Sequence, residues 1–246
     1  MSDFHNYAAW LTEQKINEAN IGSSKWSNEE YQELKDLQLK NLNELITIFK
    51  KNKARFWIDC GTLLGIYRDK DIINGDSDCD VGIFAEDVTL ELLNDLKDRL
   101  NAVSGMFYST TDLEGHLNTD EFVKAKNLKF VMLEDGKKKM FKGVDVSCDI
   151  FLYFPHEDYH MFKYGGKEQY IRTKSEYVTK LDNIQFKGLK IKIPSDIEKY
   201  LEQLYGKEWS TPDSSFDYNK NKPWCLFNFD KHYYYNFKTN KSKIEK

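Results

Sequence analysis

The sequence contains few prolines, few cysteines and no long apolar run. Four prolines and four cysteines occur in 246 residues, and no segment approaches the ~20 consecutive apolar residues of a membrane-spanning helix. The stretch from Met1 to Lys15 lacks the apolar core of a secretory signal. The wide separation of the cysteines argues against a zinc motif and a disulfide framework. We therefore expect a cytoplasmic protein with reduced thiols and no transmembrane segment.

An excess of either charge sign is also missing. The chain has 36 Lys and Arg against 40 Asp and Glu, a net charge of -4, so a broad basic face for nucleic acid is not expected. Hydrophobic residues make up 40% of the chain and aromatic residues 15%, which is enough for a folded core. We expect an N-terminal extension over residues 1–26, a main domain over 27–212 and an aromatic, basic tail over 213–246 packed on or near that domain.

Local patterns alternate between helix and strand. Ser27 and Glu30 form a capping box before an amphipathic helix that ends near Lys53. A Lys-Gly pair between two alternating runs predicts a hairpin over residues 183–193. Together these elements predict an α+β domain with a mixed sheet. The other predicted elements are a short helix at 7–14, strands at 55–59, 79–84, 121–133 and 144–154, and helices at 62–67, 87–100 and 195–205.

Three carboxylates, Asp76, Asp78 and Asp80, stand at two-residue intervals where the chain enters a strand. Residues i and i+2 of a strand share a face, so Asp78 and Asp80 should project together. Two such charges raise each other's pKa unless a cation lies between them, and oxygen ligands of this kind suit Mg²⁺ or Mn²⁺. A calcium loop would need Gly and Glu where this chain has Val81 and Asp87, so calcium is not indicated.

A later strand supplies a further carboxylate. Asp145, Ser147 and Asp149 alternate along residues 144–154, which we expect to form one strand with these side chains on one face. A carboxylate in such an apolar run is costly unless it is paired, so we expect a metal, a base or an ion pair at Asp149. Three carboxylates on two neighbouring strands are suited to holding two divalent cations across a polyphosphate.

A phosphate-binding element is predicted just upstream of these carboxylates. Gly61 and Thr62 follow a strand and open a short helix, whose first backbone N–H groups would be available to phosphate. Arg68 lies at the end of that helix, and its guanidinium is suited to clamping a phosphate or pairing with Asp76. Each feature alone also fits an ordinary turn, cap or surface ion pair. Their order and spacing favour a functional site.

The ordered motifs resemble the LicD family, which includes bacterial phosphocholine transferases and the animal fukutin and fukutin-related proteins. Two departures from the usual pattern concern the loop before the carboxylates: Asn74-Gly75 replaces a Pro-Trp pair, and Ser77 stands where an extra Asp is often found. The residues that carry the resemblance are 57–68 with the sequence WIDCGTLLGIYR, 72–73, 76–82 with the sequence DSDCDVG, 149–151, and Pro194, Tyr200-Leu201, Leu204-Tyr205-Gly206, Trp209 and Pro212.

The resemblance implies a nucleotidyltransferase-like fold, a mixed β-sheet flanked by helices. It also implies transfer of a phospho-alcohol, such as phosphocholine or phosphoribitol, from a CDP-linked donor to a sugar hydroxyl of a glycan, with release of CMP. The catalytic residues implied are Asp78 and Asp80 as ligands of Mg²⁺ or Mn²⁺ and Asp149 as a third carboxylate, either ligand or base. Gly61, Thr62 and Arg68 would meet the donor phosphates, and Asp76 would be a candidate further metal ligand.

Two other interpretations remain open. A nucleotidyltransferase that moves NMP from an NTP would use the same carboxylates, and a nucleotide- or glycan-binding module descended from such an enzyme would share the fold. The intact carboxylates argue against the binding module. The tail suggests peripheral contact with a membrane surface where lipid-linked glycans lie. Its aromatic residues would either stack on a sugar or cytosine ring or pack over the core: Trp224, Phe227, Tyr233, Tyr234 and Tyr235.

Overall fold

The computed structural model describes residues 26–99, 123–124, 127–164, 169–213, 215–221, 223, 225–229, 231–236, 239 and 241–245. The helix predicted at 7–14 lies outside these residues. The α-helices are α1 (Asn28–Lys51), α2 (Cys60–Arg68), α3 (Leu90–Leu96), α4 (Ser175–Thr179), α5 (Ile197–Tyr205) and α6 (Tyr218–Asn221), with short 3-10 turns at Ala85–Asp87 and Lys97–Arg99.

The strands are mostly short, and the longest has ten residues. They are β1 (Phe56–Ile58), β2 (Asp78–Phe84), β3 (Val123–Lys124), β4 (Leu128–Val131), β5 (Leu133–Glu134), β6 (Lys137–Lys138), β7 (Met140–Phe141), β8 (Val144–Asp145), β9 (Ser147–His156), β10 (Tyr159–Tyr164), β11 (Gln169–Lys174), β12 (Leu181–Phe186), β13 (Leu189–Pro194), β14 (Leu226–Asn228), β15 (His232–Asn236) and β16 (Lys241–Glu245).

A mixed sheet of seven strands forms the centre of the described chain, in the order β1-β2-β9-β10-β11-β14 with β4 added beside β9. The pair β2 and β9 is parallel, and the other pairs of this sheet are antiparallel. On its side away from β2, β9 pairs with β4 through its first half and with β10 through its last residues. The prediction of a mixed sheet flanked by helices is therefore confirmed.

Helix α1 packs its apolar stripe against the sheet, and Leu42, Leu45 and Phe49 are fully buried. Its start is the predicted capping box: the Ser27 N–H donates to Glu30 Oε2 at 2.7 Å, and the Glu30 N–H donates to Ser27 Oγ at 3.2 Å. Two reciprocal bonds satisfy backbone donors that the first helical turn leaves unpaired. None of the helices in the described ranges is both long and apolar enough to span a bilayer.

The strand predicted over 144–154 is interrupted, which corrects the placement of Asp145. Val146 leaves the ladder: its N–H donates to the Lys139 carbonyl and its carbonyl accepts from the Met132 N–H. Asp145 then belongs to β8, which pairs with β7, whereas Asp149 lies on β9. Ser147 and Asp149 share a face of β9 as predicted, whereas the prediction that Asp145 shares it is wrong.

Other predicted boundaries also shift. Thr89 caps α3 by accepting from the Leu92 N–H, so the helix predicted at 87–100 is shorter and flanked by 3-10 turns. The strand predicted at 121–133 is divided among β3, β4 and β5, and residues 121–122 and 125–126 lie outside the described part. The hairpin of β12 and β13 is confirmed, with Lys187 and Gly188 both at positive φ, as its tight turn requires.

The described part of the tail packs on this sheet. β14 pairs with β11 at the sheet edge, and Tyr233 is buried, with its ring 4.6 Å from that of Phe154. Its hydroxyl donates to the Pro155 carbonyl. Packing over the core, the second of the two roles expected for the tail aromatics, therefore applies to Tyr233. Trp224 and the side chains of Phe227 and Tyr235 lie outside the described part.

Candidate active site

Strand register brings acidic side chains together at the start of β2. Asp80 on β2 lies opposite Asp149 on β9, and Lys129 on β4 lies opposite Asp149 from the other side. Opposed residues of neighbouring strands share a face of the sheet, and Asp78 shares the face of Asp80. The register therefore produces a row of charged groups across three strands. We call Asp76, Asp78, Asp80 and Asp149 the carboxylate cluster.

The side-chain ammonium of Lys129 lies within the carboxylate cluster. Its Nζ lies 3.0 Å from Asp149 Oδ1 and 3.3 Å from Asp78 Oδ2, and its side chain is 33% exposed. Burial lowers its pKa, but the charges of Asp78 and Asp149 outweigh this and raise the pKa above its ordinary value. The sequence interpretation missed Lys129. A lone lysine between Leu128 and Phe130 was the available signal, because a charge in an apolar strand needs a partner.

Asp80 is held by the first turn of α2. The Thr62 N–H donates to Asp80 Oδ2 at 3.2 Å, and the Asp80 N–H donates to Thr62 Oγ1 at 2.8 Å. Burial, followed by the charges of Asp78, Asp76 and Asp149, raises the pKa of Asp80 well above its usual range. Thr62 is itself buried. Thr62 therefore positions Asp80 through these two hydrogen bonds. The sequence had instead predicted that Thr62 contacts the donor phosphates directly.

Asp76 lies beside Gly61 at the open side of the cluster. A Cβ at Gly61 would stand 3.1 Å from Asp76 Oδ2 and 3.2 Å from Asp80 Oδ2, so only glycine lets both carboxylates approach the start of α2 without displacement. Burial, with the charge of Asp78, raises the pKa of Asp76 to about 8. Gln38 of α1 fixes the backbone of this loop by donating to the carbonyls of Asp76 and Asp78.

Arg68 is not brought to the carboxylate cluster. Its guanidinium donates twice to Asp69, at 2.7 and 2.8 Å, and this pair replaces the expected pairing with Asp76. Arg68 ends α2 and Gly61 lies in its first turn, so about 10 Å of helix separates the two. The structure therefore gives Arg68 a local partner at the far end of the helix.

A second buried carboxylate, Asp59, lies directly behind the cluster and was also missed. It caps α2 and accepts four hydrogen bonds, from the Cys60 N–H, the Trp57 indole N–H and the hydroxyls of Tyr153 and Tyr200, at 2.6 to 3.2 Å. Burial raises its pKa although these donors oppose the shift. Its own N–H donates to the Asp80 carbonyl. Asp59 thus joins the start of α2 to β2.

The oxygen donors of the cluster fit a divalent cation in chemical type. Carboxylates are the ligands that Mg²⁺ and Mn²⁺ prefer, and repulsion between the neighbouring carboxylates adds to burial in raising the pKa values of Asp76 and Asp80. Across the described ranges, no three His, Cys, Asp or Glu side chains already stand in a metal-holding arrangement. The ammonium of Lys129 lies between two of the carboxylates.

These features define a class of protein: an α/β domain that gathers acidic side chains on adjacent parallel strands, beside the first turn of a buried helix. Residues 53–196, more than half of the chain, match the family described as LicD/FKTN/FKRP, nucleotidyltransferase domain. The chain belongs to this family, which confirms the resemblance seen in the sequence.

Several curated proteins are similar to this chain. Ribitol-5-phosphate transferase FKTN of Homo sapiens is 28% identical over 195 residues, which cover 78% of this chain and 35% of that protein. The same protein of Mus musculus is 27% identical over 172 residues, 68% of this chain and 32% of that protein. An uncharacterized protein of Rickettsia prowazekii is 47% identical over 49 residues, 20% of this chain and 17% of that protein. The chain spans about a third of the length of the FKTN relatives.

Proposed function

We propose that the chain is a metal-dependent transferase that moves a phospho-alcohol from a CDP-linked donor to a sugar hydroxyl of a glycan and releases CMP. Membership of the LicD/FKTN/FKRP family and similarity to relatives named ribitol-5-phosphate transferase support this reaction and favour ribitol phosphate as the group transferred. The observation that carries the proposal is the carboxylate cluster beside Gly61. We also propose that the mixed sheet and its helices form a nucleotidyltransferase-like fold.

The cluster is suited to the charge of a pyrophosphate donor. Asp78 and Asp80, with Asp76 beside them, would hold Mg²⁺ or Mn²⁺, which supplies neutralisation of the pyrophosphate and of the leaving CMP oxygen. Because Gly61 has no side chain, the carboxylates of Asp76 and Asp80 can both lie against the start of α2. Thr62 keeps Asp80 in place through its two hydrogen bonds.

Asp149 is the proposed base. The acceptor hydroxyl oxygen attacks the distal phosphorus of the donor, the bond from that phosphorus to the bridging oxygen breaks, and CMP leaves with the bridging oxygen. The hydroxyl proton passes to the Asp149 carboxylate, which is a competent base once positioned. Lys129 orients this carboxylate through its 3.0 Å contact.

The first test is a donor panel. The protein with Mg²⁺ is incubated with CDP-ribitol, CDP-choline, CDP-glycerol, CDP-ethanolamine and the four NTPs, and products are followed by phosphorus NMR. We expect CMP from one CDP-alcohol by slow hydrolysis even without an acceptor, and loss of this product in Asp78→Asn. Pyrophosphate from an NTP would instead identify a nucleotidyltransferase. If no donor is turned over and calorimetry detects no donor binding, both the transferase and the nucleotidyltransferase proposals are contradicted.

Asp149→Asn tests the assignment of the base. We expect turnover to fall by about 100-fold or more, as for loss of a general base, while the donor Kd changes by less than about threefold, since Asn keeps the side-chain shape. The matched control is Asp145→Asn, because Asp145 is also half-buried but lies on β8. Equal losses in turnover and donor binding would make Asp149 a ligand alone.

A further inference from the structure

The carboxylate cluster already contains one positive charge at a fixed place. Lys129 Nζ contacts Asp149 Oδ1 at 3.0 Å and Asp78 Oδ2 at 3.3 Å, so one ammonium bridges carboxylates from two parallel strands. These are distances of charge-assisted hydrogen bonds or close ion pairs. A cation between two carboxylates is what two neighbouring acidic strands require, and the chain itself supplies it.

The lysine backbone is held firmly at this place. Lys129 lies opposite Asp149 in the antiparallel pair of β4 and β9, and its neighbours Leu128 and Phe130 are 2% and 0% exposed. Asn41 of α1 donates to the Phe130 carbonyl at 3.3 Å and closes β4 against the helix. The Lys129 backbone is therefore fixed beside the cluster, within reach of Asp78 and Asp149.

We infer that Lys129 occupies one of the two cation positions that the cluster offers, so that the site takes one divalent cation. This inference rests on the proposed metal-dependent function and deepens it. A second divalent ion at the bridged oxygens of Asp78 and Asp149 would face the ammonium at a few ångströms, and like charges so close repel strongly in a partly buried site. The single divalent ion belongs on the Gly61 side, with Asp76, Asp80 and the remaining oxygen of Asp78.

The arrangement also separates the roles of the carboxylates. Asp149 is oriented by Lys129, as the proposed base would require, whereas Asp76 and Asp80 lie by Gly61 on the proposed donor side. A two-cation site, which the sequence alone suggested, would instead use Asp149 as a shared ligand. Lys129 is thus a positioning residue that fixes the number of metal ions.

The test is a Mn²⁺ titration of the full chain without nucleotide, in which the electron paramagnetic resonance signal of free Mn²⁺ gives the number of bound ions. We expect one ion in the wild type, two in Lys129→Met, and one in Lys129→Arg, which keeps the charge. The matched control is Lys187→Met, because Lys187 is also 33% exposed and paired with a carboxylate, that of Asp71. This control should bind one ion with unchanged affinity.

Each outcome bears on the inference. Two ions in the wild type, or one in both the wild type and Lys129→Met, would overturn the role of Lys129 and leave metal-dependent transfer standing. No ion in the wild type would overturn the inference and the metal dependence together. Circular dichroism establishes that each variant is folded, and Lys129→Gln, which is neutral but polar, replaces the Met variant if the latter does not fold. Lys129→Gln should also bind two ions.

Discussion

The buried carboxylate of Asp59 and the half-buried carboxylate cluster lie on opposite sides of the start of α2, and their charges are compensated differently. Asp59 is fully buried and accepts hydrogen bonds from four neutral donors. On the other side, four carboxylates lie together, and the ammonium of Lys129 contacts two of them, Asp78 and Asp149. The two regions are joined through the backbone, because the Asp59 N–H donates to the Asp80 carbonyl.

The difference separates a carboxylate that the fold itself stabilises from carboxylates that are suited to the proposed reaction. The charge of Asp59 is distributed over donors that its own fold provides, so nothing outside the chain is needed to stabilise it. In the cluster the neighbouring carboxylates repel one another, and this repulsion adds to burial in raising the pKa values of Asp76 and Asp80. Such pKa shifts are typical of a functional site. Variants of the two regions should therefore fail in opposite ways.

The largest effect is expected for Asp80→Asn. Turnover should fall by about 1,000-fold, since the variant removes a proposed ligand of the cation that would neutralise the donor pyrophosphate. The free energy of unfolding of the metal-free protein should rise by about 1 kcal/mol, because a buried like charge is removed and the pKa of Asp80 is already raised. Donor turnover and urea denaturation measure the two quantities. A parallel loss of stability and turnover would contradict the comparison.

Asp59→Ala should show the reverse. Tyr153, Tyr200 and Trp57 would lose a buried acceptor, and the free energy of unfolding should fall by about 3 kcal/mol. Urea denaturation measures this loss. The control is Asp182→Ala, which removes an exposed carboxylate on β12 and should change stability by less than about 0.5 kcal/mol. An unchanged denaturation midpoint in Asp59→Ala would show that the four donors do not stabilise the fold.

Two glycines sharpen the comparison further. Gly61→Ala places a methyl group 3.1 to 3.2 Å from two carboxylate oxygens of the cluster, so kcat/KM should fall by about tenfold with stability changed by less than about 0.5 kcal/mol. Gly188→Ala lies in an open turn at φ +82°, so stability should fall by about 1 kcal/mol and kcat/KM should be unchanged. If Gly61→Ala and Gly188→Ala changed kcat/KM and stability in the same way, the distinction between the carboxylate cluster and the rest of the fold would be contradicted.

The parts of the site that depend on local patterns were predictable from the sequence. The shared face of Asp78 and Asp80 follows from the two-residue period of a strand, and the capping box at Ser27 and the turn at Lys187 follow from the chemistry of a few adjacent residues. Each of these features involves residues less than five positions apart. The family motifs added the wider ordering of the chain.

The missed parts depend on which strands become neighbours. Lys129 reaches Asp78 only because β4 and β2 pair with opposite sides of β9, and no short spacing encodes that arrangement. Tyr200 lies on α5 and reaches Asp59 across 141 positions, a contact that depends on where this helix packs. Thr62 was interpreted as a phosphate contact because a free helix start was assumed, whereas Asp80 occupies its N–H.

The smallest expected effect on stability comes from removing single tyrosine hydroxyls, one in a buried hydrogen bond and one in a bond to an exposed carboxylate. Tyr200→Phe removes one of the four donors to Asp59, a 2.6 Å bond between two buried groups, and should lower the free energy of unfolding by about 1 kcal/mol. Tyr67→Phe removes a 3.2 Å bond from the same kind of hydroxyl to an exposed carboxylate, that of Glu198, and should change it by less than about 0.5 kcal/mol. Both variants should keep the wild-type turnover and Mn²⁺ stoichiometry, because neither hydroxyl contacts the carboxylate cluster. A drop in turnover without a drop in stability for Tyr200→Phe would place Asp59 within the reacting site, whereas a stability loss alone keeps it as the anchor that holds α2 against β2.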